Sequence, residues 1–174
     1  VSGPMRDFML ALSADYKLAT LSGGVQIRSF YLPGDEAGGQ RALKVAGDAL
    51  SVYARRFGEY PFSELDVVET ATTAGGIEYP GLVVIARSLY GEAEEGGFFD
   101  FVVAHEVAHQ WWYSLVGDDQ VNHPWLDESL TGYSTILYFE DRYGKAVADK
   151  ILQQSFEEPY QQLLKNKRDQ KVDQ

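Results

Sequence analysis

The chain has 174 residues, of which 45% are hydrophobic and 24% charged, a composition that predicts one compact folding unit and excludes a disordered chain. Its 26 acidic and 15 basic residues give a net charge of −11, which excludes nucleic acid as a partner because the phosphates would be repelled. The chain contains no cysteine, so any metal must be held by histidines and carboxylates. No apolar run approaches the roughly 18 residues of a membrane span and no signal-peptide pattern is present, so the compartment stays open between cytoplasm and cell exterior.

The first elements predicted along the chain are strands. Residues 7–12 and 25–32 are short apolar runs bounded by turn residues, and residues 65–70 and 77–86 have the same character. Pro80 cannot donate to a sheet ladder, so the run 77–86 is predicted to lie at a sheet edge or to contain a bulge.

Helices are predicted between and after these strands. The first ends at Gly58, because apolar residues recur before it at spacings of three and four: Leu43, Ala46, Leu50, Tyr53 and Phe57. Residues 98–116 are apolar on nearly every side and predict a buried central helix that Gly117 stops. Strands followed by helices predict an α+β fold with a small mixed or antiparallel sheet.

Two more helices are predicted in the last third of the chain. One starts at Pro124 and ends at Gly144, and its predicted apolar side consists of Leu126, Leu130, Tyr133, Leu137 and Tyr138. The other runs from Lys145 through Leu164 and is predicted to bend near Pro159, which lacks a backbone N–H group.

The central helix carries the pattern HEVAH, formed by His105, Glu106 and His109. Histidines at positions i and i+4 lie on one face of a helix, where both rings reach one zinc ion at about 2.0 to 2.1 Å. The alternative is a helix whose polar residues are merely satisfied in the core. The residues around Glu106 are apolar, however, and a buried carboxylate without a partner is costly. We therefore interpret HEVAH as a metal site.

A third ligand distinguishes the classes of zinc peptidase. The metzincin class requires Gly and His where this chain has Trp112 and Leu115, so that class is excluded. Glu128 follows His109 after 18 intervening residues, within WLDES, and two histidines with one glutamate leave the open fourth position of a catalytic zinc site. His123, in the preceding loop, is the alternative third ligand.

The motifs resemble a known family. HEVAHQWW, followed after 18 residues by the Glu of WLDES, resembles the M1 family of gluzincin metallopeptidases, the zinc aminopeptidases related to aminopeptidase N and leukotriene A4 hydrolase, whose pattern is HExxH-x18-E within WLNEGFA. The stretch GGIEY resembles the GxMEN exopeptidase motif of that family, with Glu78 located 27 positions before His105. The chain departs from these motifs without losing a ligand or a carboxylate, at Ile77, Tyr79, Asp127 and Ser129.

The resemblance implies a thermolysin-like (gluzincin) catalytic domain, in which a small mixed sheet turns an edge strand towards the cleft. The helical part would bind one zinc ion through His105, His109 and Glu128. Zinc would polarise the scissile carbonyl, and Glu106 would take a proton from water and pass it to the leaving amine.

By the same resemblance, Glu78 would hold the α-ammonium group of a peptide substrate. Gly75 and Gly76 would let the substrate backbone approach and pair with the edge strand. The predicted function is therefore that of a zinc aminopeptidase acting on peptides with a free amino terminus. Two other functions remain open: a thermolysin-type endopeptidase in which Glu78 is only a strand residue, and a zinc-binding module without activity.

The resemblance also predicts how the domains are divided. Residues 1–20 would be the edge of a preceding β-domain or a linker, and residues 21–174 part of the catalytic domain. The tyrosine that stabilises the oxyanion in the family, and the helical domain that closes its cleft, are expected beyond residue 174. Three tyrosines before that point are predicted to be core residues instead: Tyr133, Tyr138 and Tyr143. We therefore interpret the chain as truncated and expect it to be weak or inactive by itself, without the remainder of its parent protein.

Overall fold

The structure, a computed structural model, describes residues 7–166 and 168. Its centre is a sheet of five strands: β1 (Lys17–Leu21), β2 (Gln26–Tyr31), β3 (Glu64–Thr70), β4 (Gly76–Tyr79) and β5 (Leu82–Ala86). Their order across the sheet is β1-β2-β3-β5-β4. The pairs β2/β3 and β3/β5 are parallel, and the pairs β1/β2 and β4/β5 are antiparallel. The prediction of a small mixed sheet is therefore confirmed.

In the described residues, five α-helices accompany the sheet: α1 (Glu36–Phe57), α2 (Phe98–Ala108), α3 (Trp125–Tyr143), α4 (Lys145–Leu152) and α5 (Glu158–Lys165). A 3-10 helix at Arg87–Glu92 follows β5, and a π-helical turn at Gln153–Glu157 joins α4 to α5. None of the described helices has the length and apolar character needed to cross a membrane.

The core lies between one face of the sheet and the helices. Leu65 and Val67 of β3 and Val83 and Ile85 of β5 are fully buried there, because alternate strand residues point to the same face. Both α1 and α2 pack against this face, and α3 packs on α1 and α2. The predicted helix ending at Gly58 is confirmed, since Gly58 has a φ of 107° and donates its N–H group to the carbonyl of Ala54 at 3.1 Å.

The prediction of a strand at residues 7–12 is wrong, because the first strand is β1. Residues 9–13 instead line a groove of about 540 Å³ together with Phe30, Val68 and Leu82, on the sheet face opposite the core. A strand needs a neighbouring strand to pair its backbone, and this segment lies across the sheet instead of along its edge. The predicted domain boundary after residue 20 falls within β1, which is paired with β2 along its whole length; the division into domains stays a prediction.

The single strand predicted at residues 77–86 is two strands. Pro80 and Gly81 form a turn between β4 and β5, with Gly81 at a φ of 75°, a conformation that favours glycine. The edge position inferred from Pro80 holds for β4, the last strand in the sheet order, whereas β5 is an interior strand.

The central helix is shorter than predicted, because α2 ends at Ala108 and not at residue 116. Tight turns follow, in which Gln110 and Trp111 donate to carbonyls only three residues back and Tyr113 has a φ of 148°. Interactions with other parts of the chain hold these turns: the indole N–H of Trp111 donates to the Gly58 carbonyl at 3.0 Å.

The bounds of α3 agree with the prediction, but its buried face agrees only in part: Tyr138 is fully buried and Leu137 half-buried. Leu126, Leu130 and Tyr133 are exposed, and Tyr133 is 60% accessible. Beside the apolar Ile136 and Phe139, the buried side contains polar residues that were not predicted there: Asp127, Thr131, Ser134 and Thr135. Of the tyrosines predicted to lie in the core, Tyr138 is fully buried and Tyr143 half-buried, so the prediction for Tyr133 is wrong. The helix predicted from Lys145 through Leu164 is divided into α4 and α5 by the π-helical turn Gln153–Glu157, which ends just before Pro159.

Two glycines of α1 provide a test of the packing between α1 and the sheet. A Cβ atom at Gly39 would overlap the aromatic ring of Tyr31 on β2, whereas a Cβ atom at Gly47 would lie 2.8 Å from the tip of the exposed Leu21 side chain and 3.5 Å from the Cδ1 atom of Ile27. Replacing glycine by alanine inside a helix ordinarily stabilises the folded protein by about 0.5 to 1 kcal/mol. We expect Gly39→Ala to lower the free energy of unfolding by about 1 to 3 kcal/mol and the control Gly47→Ala to leave it equal or higher. Denaturant titration measures both, and equal effects would contradict the packing described here.

Candidate metal centre

The predicted metal ligands come from the end of α2 and the start of α3. His105 lies in the last turn of α2, and His109 follows its last residue. The backbone N–H group of His109 still bonds the His105 carbonyl, at 3.3 Å, so both imidazoles stay on one side, with ring centroids 4.9 Å apart. Glu128 lies in the first turn of α3, which packs against α2.

The three side chains direct ligand atoms at one point. The Nε2 atom of His105 is 3.2 Å from one carboxylate oxygen of Glu128, and the Nε2 atom of His109 is 3.9 Å from the other. One ligand atom from each of the three residues lies within 4.8 Å of the other two. The hydrogen bond to His105 lowers the pKa of Glu128, which keeps its carboxylate charged.

The ring of His109 is held by its other nitrogen. Its Nδ1 atom lies 3.0 Å from the Trp112 carbonyl and 3.2 Å from the Thr131 hydroxyl. A carbonyl only accepts, so Nδ1 carries the hydrogen and Nε2 keeps its lone pair for a metal. Burial lowers the pKa of His109, which favours the neutral ring that a metal requires. The early end of α2 thus has a consequence for the site, because it folds the Trp112 carbonyl back onto His109.

Glu106 lies directly beside these ligands and is 6% accessible. Burial, together with the charges of Glu78 and Glu128, raises its pKa well above the usual value. A carboxylate with a raised pKa is a stronger base. The strand β4 crosses against it so closely that a Cβ atom on Gly76 would lie 2.5 Å from the carboxyl carbon of Glu106.

Glu78 lies on the edge strand β4, opposite Val83 of β5. Its Oε1 atom accepts a hydrogen bond of 2.8 Å from the side-chain amide of Gln120. The same amide nitrogen donates to Asp127 at 2.6 Å. Gly75, just before β4, accepts from the N–H group of Ala86 at 2.9 Å, which extends the pairing with β5 by one step.

Gln110 attaches the β4/β5 turn to the end of α2. Its side-chain carbonyl accepts from the N–H group of Gly81 at 2.8 Å, and its side-chain amide donates to the Tyr79 carbonyl at 3.1 Å. Gln110 is fully buried. The edge strand is therefore fixed relative to the predicted ligands at both the turn and the carboxylate of Glu78.

The negative charge of this cluster favours the binding of a cation. Four carboxylates converge around the two imidazoles, those of Glu78, Glu106, Asp127 and Glu128. Within residues 7–166 and 168, no lysine or arginine ion pair includes any of the four. Two imidazole nitrogens with one carboxylate are a donor set that suits zinc. The residues present therefore fit a zinc ion.

A second group of ligand atoms also lies within 4.8 Å of one another, formed by Glu78, His109 and Asp127. It is the weaker candidate, because the nearest approach of His109 to Asp127 is 3.8 Å from Nδ1, the atom already bonded to the Trp112 carbonyl. His123, the alternative ligand from the sequence, belongs to neither group among the described residues and is exposed.

Comparison with known proteins identifies the family. Residues 41–173 match the peptidase family M1 domain. The chain belongs to peptidase family M1. This M1 chain is 33% identical over 132 residues to aminopeptidase N of Rattus norvegicus, a match that covers 70% of the chain and 14% of that relative. It is 31% identical over 131 residues to aminopeptidase M1-A of Oryza sativa subsp. japonica and 30% identical over 131 residues to aminopeptidase M1 of Arabidopsis thaliana.

The last two matches each cover 71% of the M1 chain and 15% of the relative. The chain thus spans a small part of the length of its relatives. The matched segment includes the two histidines, Glu106 and Glu128, and the five-stranded open sheet is compatible with an M1 peptidase domain.

The structure of this M1 chain brings together all the predicted site residues and adds three that the sequence did not indicate. The additions are Gln120, Asp127 and Thr131, which contact Glu78, Glu128 or His109. In the sequence, Asp127 is marked only as a departure from the family motif. For Gln120 no sequence signal exists, because its partner Glu78 is 42 residues away.

The close contact between Gly76 and Glu106 gives a prediction with a matched control. Gly76→Ala would place a Cβ atom 2.5 Å from the Glu106 carboxyl carbon, whereas a Cβ atom at Gly75 would be 3.8 Å from the Val102 methyls. We expect Gly76→Ala to destabilise the metal-free protein by about 1 to 3 kcal/mol and Gly75→Ala to change its stability by about 0.5 kcal/mol at most. Denaturation in the presence of a chelator measures both. A fully stable Gly76→Ala variant would show that β4 does not contact Glu106 as described.

Proposed function

We propose that the protein is a zinc-dependent aminopeptidase that removes the first residue of peptides with a free amino terminus. The observation that carries this proposal is the convergence of two imidazoles and a carboxylate beside a sheet edge that bears a second carboxylate, Glu78. The aminopeptidase names of the three relatives support it. The mixed sheet, with edge strand β4 beside α2, is consistent with a thermolysin-like arrangement.

Three residues would hold the zinc ion: His105, His109 and Glu128. A zinc ion bound there supplies Lewis acidity, which lowers the pKa of a water molecule and polarises a carbonyl oxygen. The hydrogen bond from His109 Nδ1 to the Trp112 carbonyl orients that ring towards the metal position. The ring of His105 is stacked on Phe101, with centroids 6.0 Å apart and planes inclined by 18°, which restricts its rotation.

Glu106 is the proposed general base and acid. It is adjacent to His105 on α2 and enclosed by apolar residues and by β4. It would take a proton from the attacking water and then give that proton to the leaving amine. Its burial would limit the access of other water molecules to the carboxylate.

The edge strand β4 is the proposed substrate platform. In the described part of the chain its only strand partner is β5, so its outer edge can pair with an extended peptide. Glu78 would then face the α-ammonium group of that peptide. Gly75 and Gly76 carry no side chain that would block the approach. An endopeptidase would not need a carboxylate to receive this charge.

Glu106→Gln tests the role of the base. In the full-length protein we expect this variant to retain zinc while kcat falls by about 10² to 10⁴ or more, because an amide cannot accept the proton. The measurement pairs metal analysis with turnover of aminoacyl fluorogenic substrates. Near-normal turnover by the zinc-loaded variant would remove Glu106 from the proposed mechanism, and absence of turnover in the zinc-loaded wild type would favour an inactive zinc-binding module.

Glu78→Ala tests whether the substrate amine is recognised. We expect kcat/KM for substrates with a free amino terminus to fall by the equivalent of about 2 to 5 kcal/mol, the value of a desolvated charge pair. The exposed Glu59 provides the control variant Glu59→Ala, which we expect to behave as wild type. Hydrolysis of N-acetylated peptides by wild type, with equal losses on free and acetylated peptides in Glu78→Ala, would instead indicate an endopeptidase.

A further inference from the structure

We propose that Gln120 is a positioning residue for recognition of the substrate amine: its side-chain amide fixes the Glu78 carboxylate at a set place relative to the metal ligands. This inference rests on the proposed aminopeptidase function and adds to it. The motifs that indicated the site do not include Gln120, which lies in the loop between α2 and α3.

The side-chain amide nitrogen of Gln120 uses both of its hydrogens as donors. The Nε2 atom of Gln120 donates to Glu78 at 2.8 Å and to Asp127 at 2.6 Å. An amide nitrogen has two hydrogens, so each carboxylate receives one. On Glu78 the bond goes to Oε1, which leaves Oε2 available for a substrate ammonium group.

The chemistry of the amide suits this task better than that of a charged side chain. A lysine at this position would neutralise Glu78 and compete with the substrate ammonium group for it. A carboxylate there would repel both Glu78 and Asp127, since like charges in close contact are destabilising. A neutral amide binds both carboxylates and leaves their charges in place. The Glu78 carboxylate therefore keeps its attraction for a cation, while its hydrogen bond to Gln120 restricts its rotation.

The same contacts connect Glu78, the proposed binding group for the substrate amine, to the metal site. Asp127 accepts the backbone N–H bond of Glu128 at 2.9 Å, and its carboxylate is almost fully buried. A continuous series of hydrogen bonds therefore runs from Glu78 through Gln120 and Asp127 to the backbone of the predicted ligand Glu128. This series sets the separation between the ammonium position and the metal position. A fixed separation of this kind determines how many residues precede the bond that is cleaved, which is one in an aminopeptidase.

The test measures amine recognition without turnover. Calorimetry gives the affinity of the zinc-loaded full-length protein for leucine hydroxamate and for the same compound without its amino group. We expect wild type to prefer the amine form, and Gln120→Met, which keeps the volume but removes both donors, to reduce this preference about tenfold. Affinity for the des-amino compound and zinc content should stay unchanged. The exposed Gln40 supplies the matched control Gln40→Met, which should retain the full preference.

A double-mutant comparison shows whether Gln120 acts through Glu78. In a Glu78→Ala background, Gln120→Met should cause no further loss of amine preference, because the group it positions is absent. A full amine preference in Gln120→Met, additive losses in the double variant, or loss of zinc from Gln120→Met would each overturn the proposed role of Gln120. A wild type that binds both hydroxamates equally, or neither, would instead refute the proposed aminopeptidase function.

Discussion

The structure depends on how the repulsion among four carboxylates is offset where α2, α3 and β4 meet. Four carboxylates converge there on two imidazoles, and within the described residues no lysine or arginine forms an ion pair with any of the four. Burial raises the pKa values of Glu106 and Asp127, which is the direction expected when a charge lacks a partner. A cation bound among these carboxylates would stabilise their charged forms, so zinc binding at the proposed site would also stabilise the fold.

The surrounding scaffold holds this cluster at fixed distances. Two glutamine side chains connect the elements around the cluster. Gln110, at the end of α2, forms hydrogen bonds with the backbone of the β4/β5 turn, and Gln120 forms hydrogen bonds with the carboxylates of both Glu78 and Asp127. Both are neutral, so they connect elements without altering the charge on which substrate recognition would depend. The lack of a side chain at Gly76 lets β4 reach Glu106. Positioning therefore comes from groups that take no part in the proposed proton transfers.

Local patterns predicted the parts of the fold that local physics determines. The arrangement of His105 and His109 could be predicted because one turn of helix fixes that pair, whereas Glu128, on another helix, was indicated only by its separation of 18 residues from His109 and by the family pattern. Gly58 and Gly144 end their helices through their own backbone conformation. The end of α2 was not readable, because hydrogen bonds from distant residues hold the turns after Ala108. The first half of the buried face of α3 was predicted wrongly for a related reason: polar residues such as Thr131 and Ser134 lie inwards, in hydrogen-bond contact with His109 and Trp112, so hydrophobicity did not indicate that part of the face.

The central claim is that His105, His109 and Glu128 bind one zinc ion, and X-ray absorption at the zinc edge tests it most directly. The claim predicts about one zinc ion per chain, with two imidazole nitrogens at about 2.0 to 2.1 Å and the remaining donors oxygen. The spectrum should be unchanged in His123→Ala, and zinc binding should be lost when His105 and His109 are both replaced by alanine. A spectrum that requires three imidazoles, or equal zinc retention by the double alanine variant, would contradict this account of the site.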